Sequence, residues 1–106
     1  MLEELLLREA RRRREIFKNL PMHLKELSMF LKKMDGGSRI FSSAQRQGGV
    51  HVLMSDVDIL IKTKLKPREV IAKLRSEGFD EPFEFHVVNE KEFKIYKDMI
   101  PELREI

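Results

Sequence analysis

The segment Met54-Ser55-Asp56-Val57-Asp58-Ile59-Leu60-Ile61 constrains this chain more than any other. Val57, Ile59 and Ile61 alternate with Asp56, Asp58 and Leu60, so the two-residue period of a β-strand sends both aspartates to one face. The strand must bury its other face against a core while holding two like charges together. Such a pair is ordinarily compensated by a divalent cation with hard oxygen ligands, which makes a metal-nucleotide site the first reading.

The rest of the chain supplies elements to cover that strand. Residues 3–18 place Leu6, Leu7, Ala10, Ile16 and Phe17 among many charges, the pattern of a surface helix with an apolar stripe. Pro21 opens a second helix whose Met22, Leu24, Leu27, Phe30 and Leu31 can face a sheet, and Asp35-Gly36-Gly37 stops it. Arg39-Ile40-Phe41 begins a short strand next to the acidic strand 54–62, with the polar loop 42–52 between them. Lys66-Pro67-Arg68-Glu69 starts a third helix, which buries Val70, Ile71 and Leu74 and is capped at Gly78. Phe83 to Val88 alternates as a half-buried strand, and Asn89 with Glu92 forms a capping box for a last helix carrying Phe93, Ile95, Tyr96 and Met99 as far as Pro101. The methionines and phenylalanines at helical spacing read as core. The order predicts an α+β fold, an α/β sandwich in which a small mixed sheet is covered by helices.

At 106 residues the chain is expected to form one domain, with N-terminal helices in 1–34 and the motif-bearing core in 36–99. No cysteine is present, so disulfides and thiolate metal sites are excluded, and a reducing, cytoplasmic setting is expected. Glu3 and Glu4 precede Leu5-Leu6-Leu7 and charges follow at once, so neither a signal peptide nor a membrane span is expected. Outside 42–49 there is no glutamine, and Lys, Arg and Glu abound, a balance seen in proteins of hot environments.

Residues 36–99 resemble a minimal nucleotidyltransferase of the DNA polymerase beta superfamily, of archaeal type in the segment Phe83–Tyr96. Members carry a Gly-Ser loop after the first strand, an Asp-x-Asp strand and a third carboxylate on a neighbouring strand. Ser55-Asp56-Val57-Asp58-Ile59-Leu60 is similar to the second element. The resemblance implies that Asp56 and Asp58 hold Mg2+ or Mn2+ on a nucleoside triphosphate during transfer of a nucleotidyl group. Glu84 is the candidate third carboxylate or general base, and His86, on the same strand face, lines the site.

The loop departs from that pattern. Ala44 and Gln45 stand where glycine and serine are expected to admit and bind the phosphates, and Gly48-Gly49 is the remaining candidate cradle. Residues 42–49, Ser-Ser-Ala-Gln-Arg-Gln-Gly-Gly, can be encoded by nucleotides whose neighbouring frame spells Leu-Phe-Gly-Ser-Ala-Ala-Arg-Gly. Both glutamines of the chain fall inside this segment. A compensated pair of frameshifts around it is the reading adopted, and whether the chain turns over as an enzyme depends on this loop.

The resemblance further implies ATP as the donor, an unidentified acceptor hydroxyl, and pairing with a small helical protein of the HEPN type that the transferase adenylylates as an antitoxin. The other reading is a catalytically inactive interaction module of the same fold, and self-association is compatible with either. Arg11 to Arg14 read as a solvated helix face, since no interleaved aromatic side chains offer stacking platforms for nucleic acid.

Overall fold

The computed structural model describes residues 2–42, 57–80 and 82–106. Helix α1 (Leu2–Lys18) is followed after a single residue by α2 (Leu20–Met34), then β1 (Arg39–Ser42), β2 (Val57–Lys62), α3 (Pro67–Ser76), β3 (Phe83–Val88), α4 (Glu90–Met99) and β4 (Arg104–Glu105). The four strands form one sheet in the order β3-β2-β1-β4. Strand β1 is antiparallel to both β2 and β4, whereas β2 and β3 are parallel and need the crossover that α3 provides. This is the expected α+β class with a mixed sheet.

Strand periodicity decides what each face meets. Ile40, Val57, Ile59, Ile61, Phe83 and Phe85 share one face and are buried with Leu20, Leu27 and Leu31 of α2 and Val70 and Leu74 of α3. Phe41, Leu60 and Val88 share the opposite face and meet Phe93 of α4, whose ring centroid lies 4.5 Å from that of Phe41. From Ile59 to Ile61 both faces of β2 are therefore apolar, because α4 covers that part of the second face, and Lys62 beyond them lays its ammonium 5.1 Å from the centroid of the Phe93 ring.

Local chemistry fixes the ends of the elements. Proline in the first turns of α2 and α3 sits where a missing N–H costs nothing. Asp35, which ends α2, accepts from the Gly37 amide at 3.1 Å and from the Thr63 hydroxyl at 2.7 Å, tying the helix to the end of β2. These bonds, the Thr63 one foremost, hold its carboxyl below the usual value. Gly78 follows α3 with φ +93°, a conformation that side chains with a Cβ rarely adopt. The capping box of α4 is complete: Asn89 Oδ1 accepts from the Glu92 amide at 2.8 Å, and Glu92 Oε1 accepts from the Asn89 amide at 2.9 Å.

Three expectations need correction. Strand β4 was absent from the sequence reading, because two residues carry no alternation. It is held by backbone pairing to β1 and by a bidentate ion pair from Arg39 to Glu105 at 2.9 and 2.6 Å. Met22, Met29 and Met99 are not core but more than half exposed, as is Ile95, since α2 and α4 each press only one side on the sheet. The apolar stripe of α1 is buried only in part, by Ile16 and Phe17, and leaves Leu6 and Leu7 in solvent.

Candidate active site

Asp58 and Glu84 are each the second residue of a parallel strand, and the β2–β3 register sets them directly opposite one another. Paired residues on neighbouring strands share a face. Two residues on, His86 stands opposite Leu60 on that same face, and its Nε2 lies 3.3 Å from Asp58 Oδ1. One ligand atom from each of Asp58, Glu84 and His86 lies within 4.8 Å of the others, and all three side chains reach solvent. The face is open here because α4 covers only the part of it that begins at Leu60.

The strand that carries Asp58 is held on both sides. The Ser42 hydroxyl donates to the Asp58 carbonyl at 3.2 Å, and the Val57 amide donates to the Pro82 carbonyl at 2.8 Å. At the entry to β3, Arg75 bonds Asp80 at 2.7 Å, and its guanidinium lies 5.3 Å from the centroid of the Phe85 ring. These contacts fix the backbones of β2 and β3 and leave the two carboxylates to meet the solvent side.

Of the sequence-derived site residues, Asp58 and Glu84 are brought together as expected, with His86 beside them. Asp56, Ser55, Ala44, Gln45, Gly48 and Gly49 lie outside the described residues. Of the residues that flank the segment 43–56, Ser42 reaches the Asp58 carbonyl through its hydroxyl, and Val57 precedes Asp58 in β2.

Two carboxylates and an imidazole, each offering an atom within 4.8 Å of the rest, suit a divalent cation that accepts oxygen ligands and tolerates nitrogen. The residues present fit the group.

Next to this cluster is a cleft of about 290 Å³ lined by Asp58, Leu60, His86, Tyr96, Ile100 and Leu103. Asp58 and His86 were expected at the site, whereas Leu60, Tyr96, Ile100 and Leu103 were not, Tyr96 being expected only as a residue of the last helix. Phe93 and Tyr96 are spaced three apart and so share the sheet-facing side of α4, which is the signal that could have placed Tyr96 over the site.

No protein-family model matches the chain, and no curated protein does. Among solved structures, the crystal structure of a "putative nucleotidyltransferase" is similar to it with a TM-score of 0.59 and 29% sequence identity, over 79% of this chain and 97% of that one. The chain has the nucleotidyltransferase fold, with four helices about a mixed four-stranded sheet among the described residues. Among the described residues no helix is long and apolar enough to cross a membrane.

Proposed function

We propose that the chain is a metal-dependent nucleotidyltransferase that moves a nucleoside monophosphate from a nucleoside triphosphate, ATP by preference, to an acceptor hydroxyl. The observation that carries this reading is the pairing of Asp58 with Glu84 across parallel strands, on the open part of a sheet with the nucleotidyltransferase fold. Asp56, Asp58 and Glu84 would hold Mg2+ or Mn2+. When bound, the cation supplies charge neutralisation for the triphosphate and the leaving pyrophosphate.

The residues of the chain orient the reactants and move the proton. Glu84 accepts the proton of the attacking hydroxyl, whose oxygen forms the new bond to the α-phosphorus as the bond to pyrophosphate breaks. His86 holds Asp58 in place through its 3.3 Å contact. The cleft beside them, apolar along Leu60, Ile100 and Leu103, seats the body of the acceptor with its hydroxyl toward Asp58 and Glu84. A small helical protein of HEPN type is the acceptor-bearing partner in this reading, and the transferase acts on it as an antitoxin.

Ser42 bears on the loop. It is buried at 3% exposure and follows the alternation of Ile40 on the face that meets the main core, a place where a strand ordinarily carries an apolar side chain. The neighbouring reading frame puts leucine there, ahead of Phe-Gly-Ser. We take the Leu-Phe-Gly-Ser-Ala-Ala-Arg-Gly segment as the active form of residues 42–49. Peptide fragmentation across 39–54 tests it, and a ladder reading Ser-Ser-Ala-Gln throughout the cellular protein sinks it.

The transfer itself is tested by pyrophosphate release from ATP with Mg2+ and candidate acceptor proteins. Release that depends on the acceptor and vanishes in Asp58→Asn supports the reading. An Asp58→Asn variant that matches the parent contradicts it. The inactive-module reading is favoured by Ala44 and Gln45 and predicts no release with either loop sequence.

A further inference from the structure

The cleft beside Asp58 already holds a hydroxyl of the chain itself. Of the residues that line it, Tyr96 alone carries one. Tyr96 is the single tyrosine of the chain, and it is half-buried. It packs against the cluster of Phe41, Leu60, Val88 and Phe93, so α4 and the sheet together fix where it stands. A tyrosine held among apolar side chains usually finds a partner for its O–H. Among the described residues the Tyr96 hydroxyl has no hydrogen-bond partner. The hydroxyls about β1 and β2 are engaged instead: Ser38 donates to the Asp35 carbonyl at 2.8 Å, Ser42 to the Asp58 carbonyl at 3.2 Å and Thr63 to the Asp35 carboxylate at 2.7 Å.

Resting on the nucleotidyl-transfer reading, we propose that Tyr96 is a site of self-modification, to which the chain transfers a nucleoside monophosphate when no outside acceptor fills the cleft. The phenolic oxygen forms the new bond to the α-phosphorus of the nucleoside triphosphate. The bond from that phosphorus to the bridging oxygen breaks, pyrophosphate leaves with the electron pair, and the phenolic proton passes to Glu84. The product is a phosphodiester between Tyr96 and the nucleoside. It brings a further negative charge beside Asp58 and occupies the cleft of about 290 Å³, so the reaction stops after a single transfer. An acceptor seated in the cleft competes with the phenol and suppresses the modification. Because the cleft and Tyr96 belong to the same chain, the rate per chain is independent of protein concentration.

Two measurements test the proposal. With no tryptophan and a single tyrosine, the intrinsic fluorescence of the chain reports the Tyr96 ring alone. Mn2+, a paramagnetic quencher, should quench it saturably in the parent and not in Asp58→Asn. The chain as it stands and the form carrying Leu-Phe-Gly-Ser-Ala-Ala-Arg-Gly at 42–49 are then incubated with ATP and Mg2+ without an acceptor, and the adduct is read by intact mass and peptide fragmentation. The latter form should gain a single AMP group per chain on Tyr96, and the chain with Ala44 and Gln45 at least tenfold less. Tyr96→Phe, with its circular dichroism spectrum unchanged, should lose the adduct. Pyrophosphate release with an acceptor but no adduct on Tyr96 overturns this inference and leaves the transfer reading standing. Absence of both adduct and release overturns the two together. An adduct mapped to another residue, or fluorescence indifferent to Mn2+, also overturns the inference.

Discussion

Replacing Glu84 with glutamine removes one of two facing carboxylates while leaving the Asp58–His86 contact intact, so it isolates the repulsion within the site. With ligand atoms within 4.8 Å of each other, two unit charges repel by about 0.9 kcal/mol at the dielectric constant of water. Screening at physiological salt roughly halves this over such a distance. Both side chains are exposed, so the solvent value is the appropriate one. In chelator, Glu84→Gln should therefore be more stable than the parent by about 0.5 kcal/mol, equivalent to roughly 2–4 °C in Tm for a domain of this size. Added Mn2+ or Mg2+ reverses the order, because the parent gains by cation binding and the variant gains much less. Thermal denaturation followed by circular dichroism, with and without the cation, reads both effects. A variant less stable than its parent in chelator, or one that gains as much from the cation, refutes the reasoning.

Other outcomes follow from the fold. Leu74→Ala, at a fully buried site in the main core, should cost about 2–5 kcal/mol in denaturant unfolding; a cost near zero would mean that α3 is not seated on the sheet. Gly78→Ala should cost about 1–2 kcal/mol from its positive φ alone, since a Cβ there meets nothing within 4 Å; an unchanged midpoint would remove the backbone-strain explanation. Asn89→Ala breaks the α4 cap and should cost about 1 kcal/mol, with faster amide exchange confined to the first turn of α4. The Asp35 carboxyl is held below its ordinary value of 3.8, so its contribution to stability is complete above that value and is lost as the pH falls through the lower folded one. Thr63→Val removes the main cause and should flatten the acid limb of stability below about pH 4; an unaltered limb would assign that acid sensitivity elsewhere.

What was legible in the sequence was whatever depended on periodicity or on a single residue's backbone chemistry. Val57, Ile59 and Ile61 announced the core face of β2, Pro67 and Gly78 bounded α3, and Asn89 with Glu92 announced α4. The pairing of Asp58 with Glu84 needed more than pattern, because register between strands is a tertiary property. The alternation of each strand established only that each residue lay on one face, and the parallel crossover through α3 brought the two faces together. Strand β4 escaped because its stability comes from the Arg39–Glu105 pair and backbone bonds between residues more than sixty positions apart. Met99 was misplaced since apolar character does not say which side of a short helix finds the sheet. Tyr96 was assigned to the helix correctly, but its place over the cleft depends on where α4 crosses β2 and β3.

The most direct test of the central claim is calorimetric titration of Mg2+-ATP into the protein carrying the Leu-Phe-Gly-Ser-Ala-Ala-Arg-Gly segment at 42–49, beside the chain as it stands and an Asp58→Asn variant of the restored form. The account predicts magnesium-dependent binding to the restored protein, at least tenfold weaker binding to the chain with Ala44 and Gln45, and none once Asp58 is neutralised. Binding that ignores both magnesium and Asp58, or no binding to the restored protein at millimolar nucleotide, contradicts it.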